Sequence, residues 1–164
     1  MHDERSLAEE IVRELSGRGE TLAAAESCTG GRAADMIVSI SGASKVFWGS
    51  FVCYTEEAKI LMLGIAPELV REYGAVSRET VLAMAEGALL KSGASWAFSV
   101  TGFADPPGSG VWIAAAGRDR TGKPQSEARV FHFGGNRNEV REEAARTALE
   151  MVYGMINQNT RPGY

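Results

Sequence analysis

The sequence predicts a single-domain α/β/α sandwich with a mixed sheet of about five strands and helices on both faces. Segments with helical periodicity alternate with short apolar, β-branched or aromatic segments, which is typical of this class. The last strand candidates are joined by connections too short for crossover helices, so antiparallel pairing is expected there. The chain has 164 residues, 45% of them apolar, and no repeat or linker, which indicates one domain over residues 1–164.

The first half of the chain alternates helix and strand. The apolar positions between Leu7 and Leu15 fall on one helical face, and the segment SGRG ends that helix before the apolar strand Leu22–Ala25. A second helix is expected from about Thr29 to Ile40. The segment VFWGSFVCY that follows is β-branched and aromatic, so it predicts the second strand.

Three helices and three strands are expected next. The helices are TEEAKILMLG, beginning at a Thr55 cap, then APELVREYG, and then SRETVLAMAEGALLKSG, for which Ser77 is the predicted N-cap. The strand candidates are SWAFSVTG, GVWIAAAG and EARVFHFG, separated by turn-rich segments. A final helix from about Asn138 to Ile156 completes a core over residues 5–157, and residues 158–164 are expected to form a frayed tail.

Composition excludes several classes of function. A net charge of −4 without a basic run argues against nucleic acid as the main partner. The charged, amphipathic segment MHDERSLAEEIVREL has no signal-peptide core and no membrane span, so we expect a cytoplasmic protein with no membrane partner. The cysteines Cys28 and Cys53 and the histidines His2 and His132 have no zinc-type spacing, so neither a metal nor a cofactor is expected.

A turn rich in small residues, ESCTGGR, lies between the first strand and the second helix. Ser27, Thr29, Gly30 and Gly31 occupy the place where backbone N–H groups and the helix dipole favour an anion. The pattern is neither a Walker A loop nor GxGxxG. A capped helix with close strand-helix packing explains the same residues, and the sequence leaves both interpretations open.

Ser44, Tyr54 and Lys59 are a second candidate group. A lysine whose pKa is lowered by burial can act as general base for a serine, and a tyrosine hydroxyl can position or relay the proton. Each residue also has an ordinary explanation, as a turn residue, a strand residue and a solvated helix residue respectively. Periodicity cannot bring the three together in space.

Five ordered segments carry a resemblance to a known family: AESCTGG, GASKVFWGSFVCYTEEAKILMLGI, YGAVSRETVLAMAEGA, SVTGFA and FGGNRNEVREEAARTAL. From about Leu7 to Val152 the chain resembles the CinA C-terminal domain family, in its stand-alone form, which is similar to the nicotinamide-nucleotide amidohydrolases. The resemblance implies hydrolysis of nicotinamide mononucleotide to nicotinate mononucleotide and ammonia, without a cofactor. It also implies a homodimer.

The resemblance further implies roles for individual residues. It places the family's serine-lysine pair on Ser44 and Lys59, with Tyr54 between them. It implies a nucleotide pocket formed by Ser27, Thr29, Gly30, Gly31, Thr101, Gly102, Arg137 and Arg141. One of the two arginines is expected to bind the substrate phosphate through paired hydrogen bonds.

The chain departs from the family pattern after the third predicted strand of the sheet. The family usually carries a longer glycine-rich loop with a lysine, whereas this chain has ADPPGSGVW, and Asp105 replaces a glycine. Two alternatives therefore stand beside the amidohydrolase. One is a degenerate member that binds a nucleotide or a protein without catalysis, and the other is an amidase that uses Cys28 at a helix N-terminus.

Overall fold

The computed structural model describes residues 4–159. Five strands form one sheet, in the spatial order β2-β1-β3-β4-β5. They are β1 Leu22–Glu26, β2 Phe47–Val52, β3 Trp96–Gly102, β4 Val111–Arg118 and β5 Pro124–Phe131. Strand β1 pairs in parallel with β2 and β3, and β4 pairs antiparallel with β3 and β5, which confirms the predicted mixed sheet.

Six α-helices and one short 3₁₀ turn surround this sheet in the described part of the chain. The helices are α1 Glu4–Arg18, α2 Arg32–Val38, α3 Glu56–Leu63, α4 Pro67–Tyr73, α5 Arg78–Ser92 and α6 Arg137–Gln158, and the 3₁₀ turn is Ala43–Lys45. Thr55 and Ser77 cap α3 and α5 as predicted, each accepting a hydrogen bond from a first-turn N–H. Between residues 4 and 159 no helix has both the length and the apolar character that a membrane crossing needs.

The sheet separates two apolar layers. One side chain of β1, Leu22, packs in the layer that α1, α2 and α6 cover, whereas Ala25 packs in the layer of α3, α4 and α5. Every residue of β1 is buried, as expected for a strand covered on both faces. The predicted arrangement of helices on both faces is therefore confirmed.

The connections that leave β1 and β2 pass to opposite faces of the sheet. Helix α2 follows β1 on one face, and α3 follows β2 on the other. In α/β sheets this divergence opens a crevice outside the carboxyl ends of the two strands, where ligands bind. The residues next to this crevice are those that directly follow Glu26 and Val52.

Several element boundaries differ from the prediction. Helix α2 begins at Arg32 rather than at Thr29, because Gly30 and Gly31 have positive φ angles that a right-handed helix does not admit. Strand β5 begins at Pro124, three positions before the predicted segment, because it extends an antiparallel ladder with β4. Gln158, assigned to the frayed tail, belongs to α6, while residues 160–164 and His2 lie outside the described residues.

Gly117 provides a test of packing in the sheet. A Cβ at this position would lie 2.6 Å from Cζ3 of Trp96, a ring that is almost wholly buried. We expect Gly117→Ala to lower the free energy of unfolding by about 1 to 3 kcal/mol through overpacking, measured by urea denaturation. Gly17→Ala, in α1 with open space around it, is the control and should cause no loss. Equal stability of the two variants would contradict the packing described.

Candidate active site

Ser27 and Lys59 meet in the crevice between β1 and β2. Ser27 directly follows β1, and Lys59 lies on α3, which begins shortly after β2. The Lys59 Nζ lies 2.9 Å from the Ser27 Oγ. Both side chains are buried, with Lys59 only 2% exposed. A serine hydroxyl in direct contact with a lysine amine is the arrangement that a serine-lysine nucleophile requires.

The surroundings of Lys59 favour its neutral form. Burial lowers the pKa of this amine below its usual value, which is the direction needed for a general base. Two carbonyl oxygens, those of Cys53 and Tyr54, lie 3.2 and 3.5 Å from Nζ and accept its hydrogens. In the structure Nζ donates to the Ser27 oxygen, and the Ser27 hydroxyl donates to the Tyr54 carbonyl at 3.4 Å. In the neutral amine, two N–H groups can serve the carbonyls, and the lone pair can accept the Ser27 proton once the hydroxyl turns toward it.

The carboxylate of Glu26 fixes the turn that carries Ser27. It is fully buried and accepts hydrogen bonds from the Thr29 hydroxyl at 2.8 Å and the Ser50 hydroxyl at 2.7 Å. It also accepts from the N–H groups of Ala33 at 2.9 Å and Ala34 at 3.2 Å, in the first turn of α2. One side chain thus ties β1, β2 and the start of α2 together, and the helix dipole favours its negative charge there.

Arg141 of α6 holds the same turn from outside. Its Nε donates to the Cys28 carbonyl at 2.9 Å, and its Nη2 donates to the Thr29 carbonyl at 3.1 Å. Its Nη1 donates to Asn138 at 3.0 Å. The geometry therefore places Arg141 as a support of the turn rather than as a guanidinium open toward a phosphate.

The N–H groups of the turn are partly used inside the protein. Two N–H groups of α2 donate to Glu26, and that of Gly30 donates to the Ser27 carbonyl at 3.0 Å. Along residues 4–159, no backbone carbonyl accepts from the N–H of Cys28 or Thr29. These two donors, directly after Ser27, are available for an anionic or partly charged oxygen.

The two glycines of the turn are explained by backbone conformation. Gly30 has φ +59° and Gly31 has φ +99°, both in the left-handed region that glycine adopts at little cost. A Cβ on Gly30 would also lie 3.2 Å from Nη2 of Arg141. The packing interpretation of these glycines is therefore sufficient, and their predicted contact with substrate stays a prediction.

The structure contradicts the predicted pairing of Ser44 with Lys59. Ser44 is exposed in the 3₁₀ turn before β2, whereas Lys59 follows the carboxyl end of that strand. Six strand residues separate the two ends of β2 by about 20 Å. Ser27 takes the place that sequence reasoning gave to Ser44, because β1 and β2 are parallel and their carboxyl ends lie side by side.

Tyr54, Arg137 and Asp105 form a polar cluster at the rim of this crevice. The Arg137 guanidinium donates from Nη1 to the Asp105 carboxylate at 2.5 Å and from Nη2 to the Tyr54 hydroxyl at 3.2 Å. Hydrogen bonding to Asp105, and then to Tyr54, raises the pKa of Arg137 further above its usual value. The Tyr54 hydroxyl, predicted to serve the serine-lysine pair, contacts Arg137 instead, while the carbonyl of Tyr54 contacts Lys59.

Thr101 and Gly102 end β3 and have internal roles. The Thr101 hydroxyl donates to the Ala75 carbonyl at 2.8 Å and is buried. A Cβ on Gly102 would lie 2.7 Å from the Cα of Val111 on the neighbouring strand, so only glycine fits. Both residues shape the end of β3, and their predicted contact with a nucleotide stays a prediction.

Cys28 is a poor nucleophile in this environment. Its thiol is buried, and burial raises its pKa to about 11, so the reactive thiolate is disfavoured at neutral pH. Within residues 4–159, no group of three or more metal-binding side chains is found. The chemistry that the arrangement supports is nucleophilic attack by Ser27, with Lys59 as base.

Comparison with known proteins identifies the family. The sequence model of the CinA C-terminal domain family matches residues 4–156 of this chain. The chain belongs to the CinA C-terminal domain family. It is 38% identical over 161 residues to the nicotinamide-nucleotide amidohydrolase PncC of Escherichia coli, covering 94% of this chain and 95% of that protein.

Other CinA relatives are longer or have solved structures. A CinA-like protein of Chlorobium phaeovibrioides is 39% identical over 163 residues, and the match covers 94% of this chain but 38% of that protein. The crystal structure of the competence/damage inducible protein CihA from Agrobacterium tumefaciens has a TM-score of 0.87 and 38% identity. That match covers 96% of this chain and 98% of the other.

Two members of this CinA-type site were missed or misplaced by sequence reasoning. Glu26 was not singled out, although a carboxylate at the end of a buried strand, seven residues before a helical N–H, is an available acceptor for the start of a helix. Ser27 was assigned to substrate binding rather than to the lysine. The sequence feature that could have indicated both residues is the group of polar residues at the end of the buried strand β1. Ligand sites in α/β sheets lie at the carboxyl ends of neighbouring strands.

Glu26 provides a test of the turn. Removing its carboxylate in Glu26→Ala leaves two hydroxyls and two N–H groups without their acceptor, so we expect the free energy of unfolding to fall by at least about 3 kcal/mol. Glu142→Ala, which breaks an exposed ion pair with Arg32, should cost less than about 1 kcal/mol. Thermal and urea denaturation measure both. Similar losses in the two variants would contradict the role given to Glu26.

Proposed function

We propose that this chain hydrolyses the carboxamide of nicotinamide mononucleotide, with Ser27 as nucleophile and Lys59 as general base. The contact between Ser27 Oγ and Lys59 Nζ is the observation that carries the proposal. Membership of the CinA family and the similarity to the Escherichia coli amidohydrolase support the substrate. The match covers 95% of that enzyme.

The reaction begins when the Ser27 oxygen attacks the carboxamide carbon and neutral Lys59 takes the hydroxyl proton. The carbonyl oxygen becomes negatively charged, and the N–H groups of Cys28 and Thr29 are the proposed donors to it. Lys59 then gives its proton to the leaving nitrogen, the carbon-nitrogen bond breaks and ammonia departs. Water attacks the resulting acyl-serine, releasing nicotinate mononucleotide and restoring the Ser27 hydroxyl.

A degenerate member that binds a nucleotide without catalysis is the alternative. The observation that favours it is the ion pair between Arg137 and Asp105, which occupies a cation expected to hold the substrate phosphate. Ammonia release separates the two proposals, because the alternative retains binding and lacks turnover.

We further propose that the protein acts in the cytoplasm as a homodimer. The exposed edge of β2 supports self-association, because Trp48 and Val52 on this strand are 53% and 43% exposed. Analytical ultracentrifugation measures the oligomeric state.

Ser27 and Ser44 provide a direct test of which serine is the nucleophile. We expect Ser27→Ala to lower kcat for ammonia release from nicotinamide mononucleotide by roughly 10³-fold or more, because the nucleophile is lost. Ser44→Ala, which removes an exposed hydroxyl at the other end of β2, should retain near-normal turnover. Circular dichroism checks that both variants fold. Loss of activity in Ser44→Ala but not in Ser27→Ala would refute the assignment.

Lys59 makes the reaction dependent on pH. The base is active when deprotonated, so kcat/KM should rise with pH through the lowered pKa of Lys59 and fall about tenfold per unit below it. Lys59→Arg should be inactive throughout, because a guanidinium stays protonated. The measurement is ammonia release from pH 5 to 10. Activity of Lys59→Arg near the normal level, or a profile without this acid limb, would exclude Lys59 as the base.

A further inference from the structure

The hydrogen bonds of Arg137 connect three parts of the crevice rim. Arg137 lies in the first turn of α6, Asp105 in the loop after β3, and Tyr54 just before Thr55, the N-cap of α3. The carbonyl of Tyr54 accepts from Lys59 Nζ, so the residue that contacts Arg137 also contacts the proposed base. Tyr54 therefore links the guanidinium, through its hydroxyl, to the segment whose carbonyl contacts the base.

The backbone holds Asp105 and Arg137 together. In the loop between β3 and β4, the Gly108 N–H donates to the Phe133 carbonyl at 2.8 Å, which ties the loop to the segment leading into α6. The His132 ring nitrogen Nδ1 lies 2.9 Å from the Gly108 carbonyl and adds a second link. About half of each side chain of the ion pair is exposed, so a ligand can reach both from solvent.

We propose that Asp105 is a specificity-determining residue that occupies Arg137 in the free protein and competes with the substrate phosphate for this guanidinium. The proposal rests on the function proposed above. A carboxylate and a phosphate bind the same guanidinium N–H groups, so Asp105, which accepts from Nη1, competes with a phosphate that approaches this side of Arg137. The displaced carboxylate remains close to the phosphate as a like charge.

Asp105 has the opposite effect on a substrate without the phosphate, because such a substrate carries no negative charge. Nicotinamide riboside carries the same carboxamide on a cationic pyridinium ring but has no anionic group, so it has no need of Arg137. The negative charge of Asp105 attracts that ring rather than repelling the ligand. Asp105 therefore lowers the preference of the site for the phosphorylated substrate over the nucleoside.

The test compares both substrates in Asp105→Asn, which removes the charge and keeps the shape. For nicotinamide mononucleotide, we expect KM to fall by about twofold to fivefold, the range for an exposed ion pair, with little change in kcat. For nicotinamide riboside, we expect an unchanged or raised KM. Glu127→Gln removes a carboxylate paired with Arg129 on β5, at the opposite edge of the sheet from β2, and should change neither value.

Two further measurements make the outcome decisive. Arg137→Gln should raise KM for the nucleotide and leave the riboside unaffected, and the gain in Asp105→Asn should shrink at high salt because screening weakens exposed charges. An unchanged nucleotide-to-riboside ratio in Asp105→Asn would overturn the proposal.

A binding assay separates this proposal from the proposed function. If the unmutated protein releases no ammonia, the hydrolase proposal fails, and calorimetric titration of nicotinamide mononucleotide into the unmutated protein and Asp105→Asn still tests Asp105. Tighter binding to the variant would support the competition. Equal affinity, or no binding to either protein, would overturn it.

Discussion

The buried carboxylate of Glu26 is the interaction on which the rest of the site depends. Its four hydrogen bonds join β1, β2 and the beginning of α2, the elements that surround Ser27. Because this carboxylate meets the positive end of α2 from inside the protein, the first helical N–H groups are already satisfied. The turn is thus held in place as a support for a nucleophile, and among the described residues the N–H groups of Cys28, Thr29 and Gly31 have no acceptor within the protein.

Lys59 extends this arrangement from the opposite face of the sheet. A buried amine is costly as a cation, and the carbonyls at the end of β2 satisfy its N–H groups without adding a negative charge. A carboxylate partner in their place would have held the lysine protonated. The neutral carbonyls around Lys59 favour its deprotonated form. The Glu26 carboxylate fixes the turn that carries Ser27.

The elements could be predicted from the sequence because helical and strand periodicities are local properties. The predicted sheet, its mixed pairing and the caps Thr55 and Ser77 are found in the structure. The partner of Lys59 could not be derived in this way, because contact between residues 27 and 59 depends on which strands are neighbours. The ion pair between Asp105 and Arg137 could not be predicted for the same reason. These side chains meet only because the β3–β4 loop lies next to the start of α6.

The change from parallel to antiparallel pairing at β3 has a consequence for the order of folding. Strands β3, β4 and β5 are joined by short connections, so their contacts are local and close at little entropic cost. Strand β1 reaches β3 only across an intervening chain of four helices and β2, which makes its pairing non-local and slow. We therefore expect the antiparallel strands β3, β4 and β5 to pair early and β1 to join the sheet late. Ser27 and Lys59 then come together only near the end of folding.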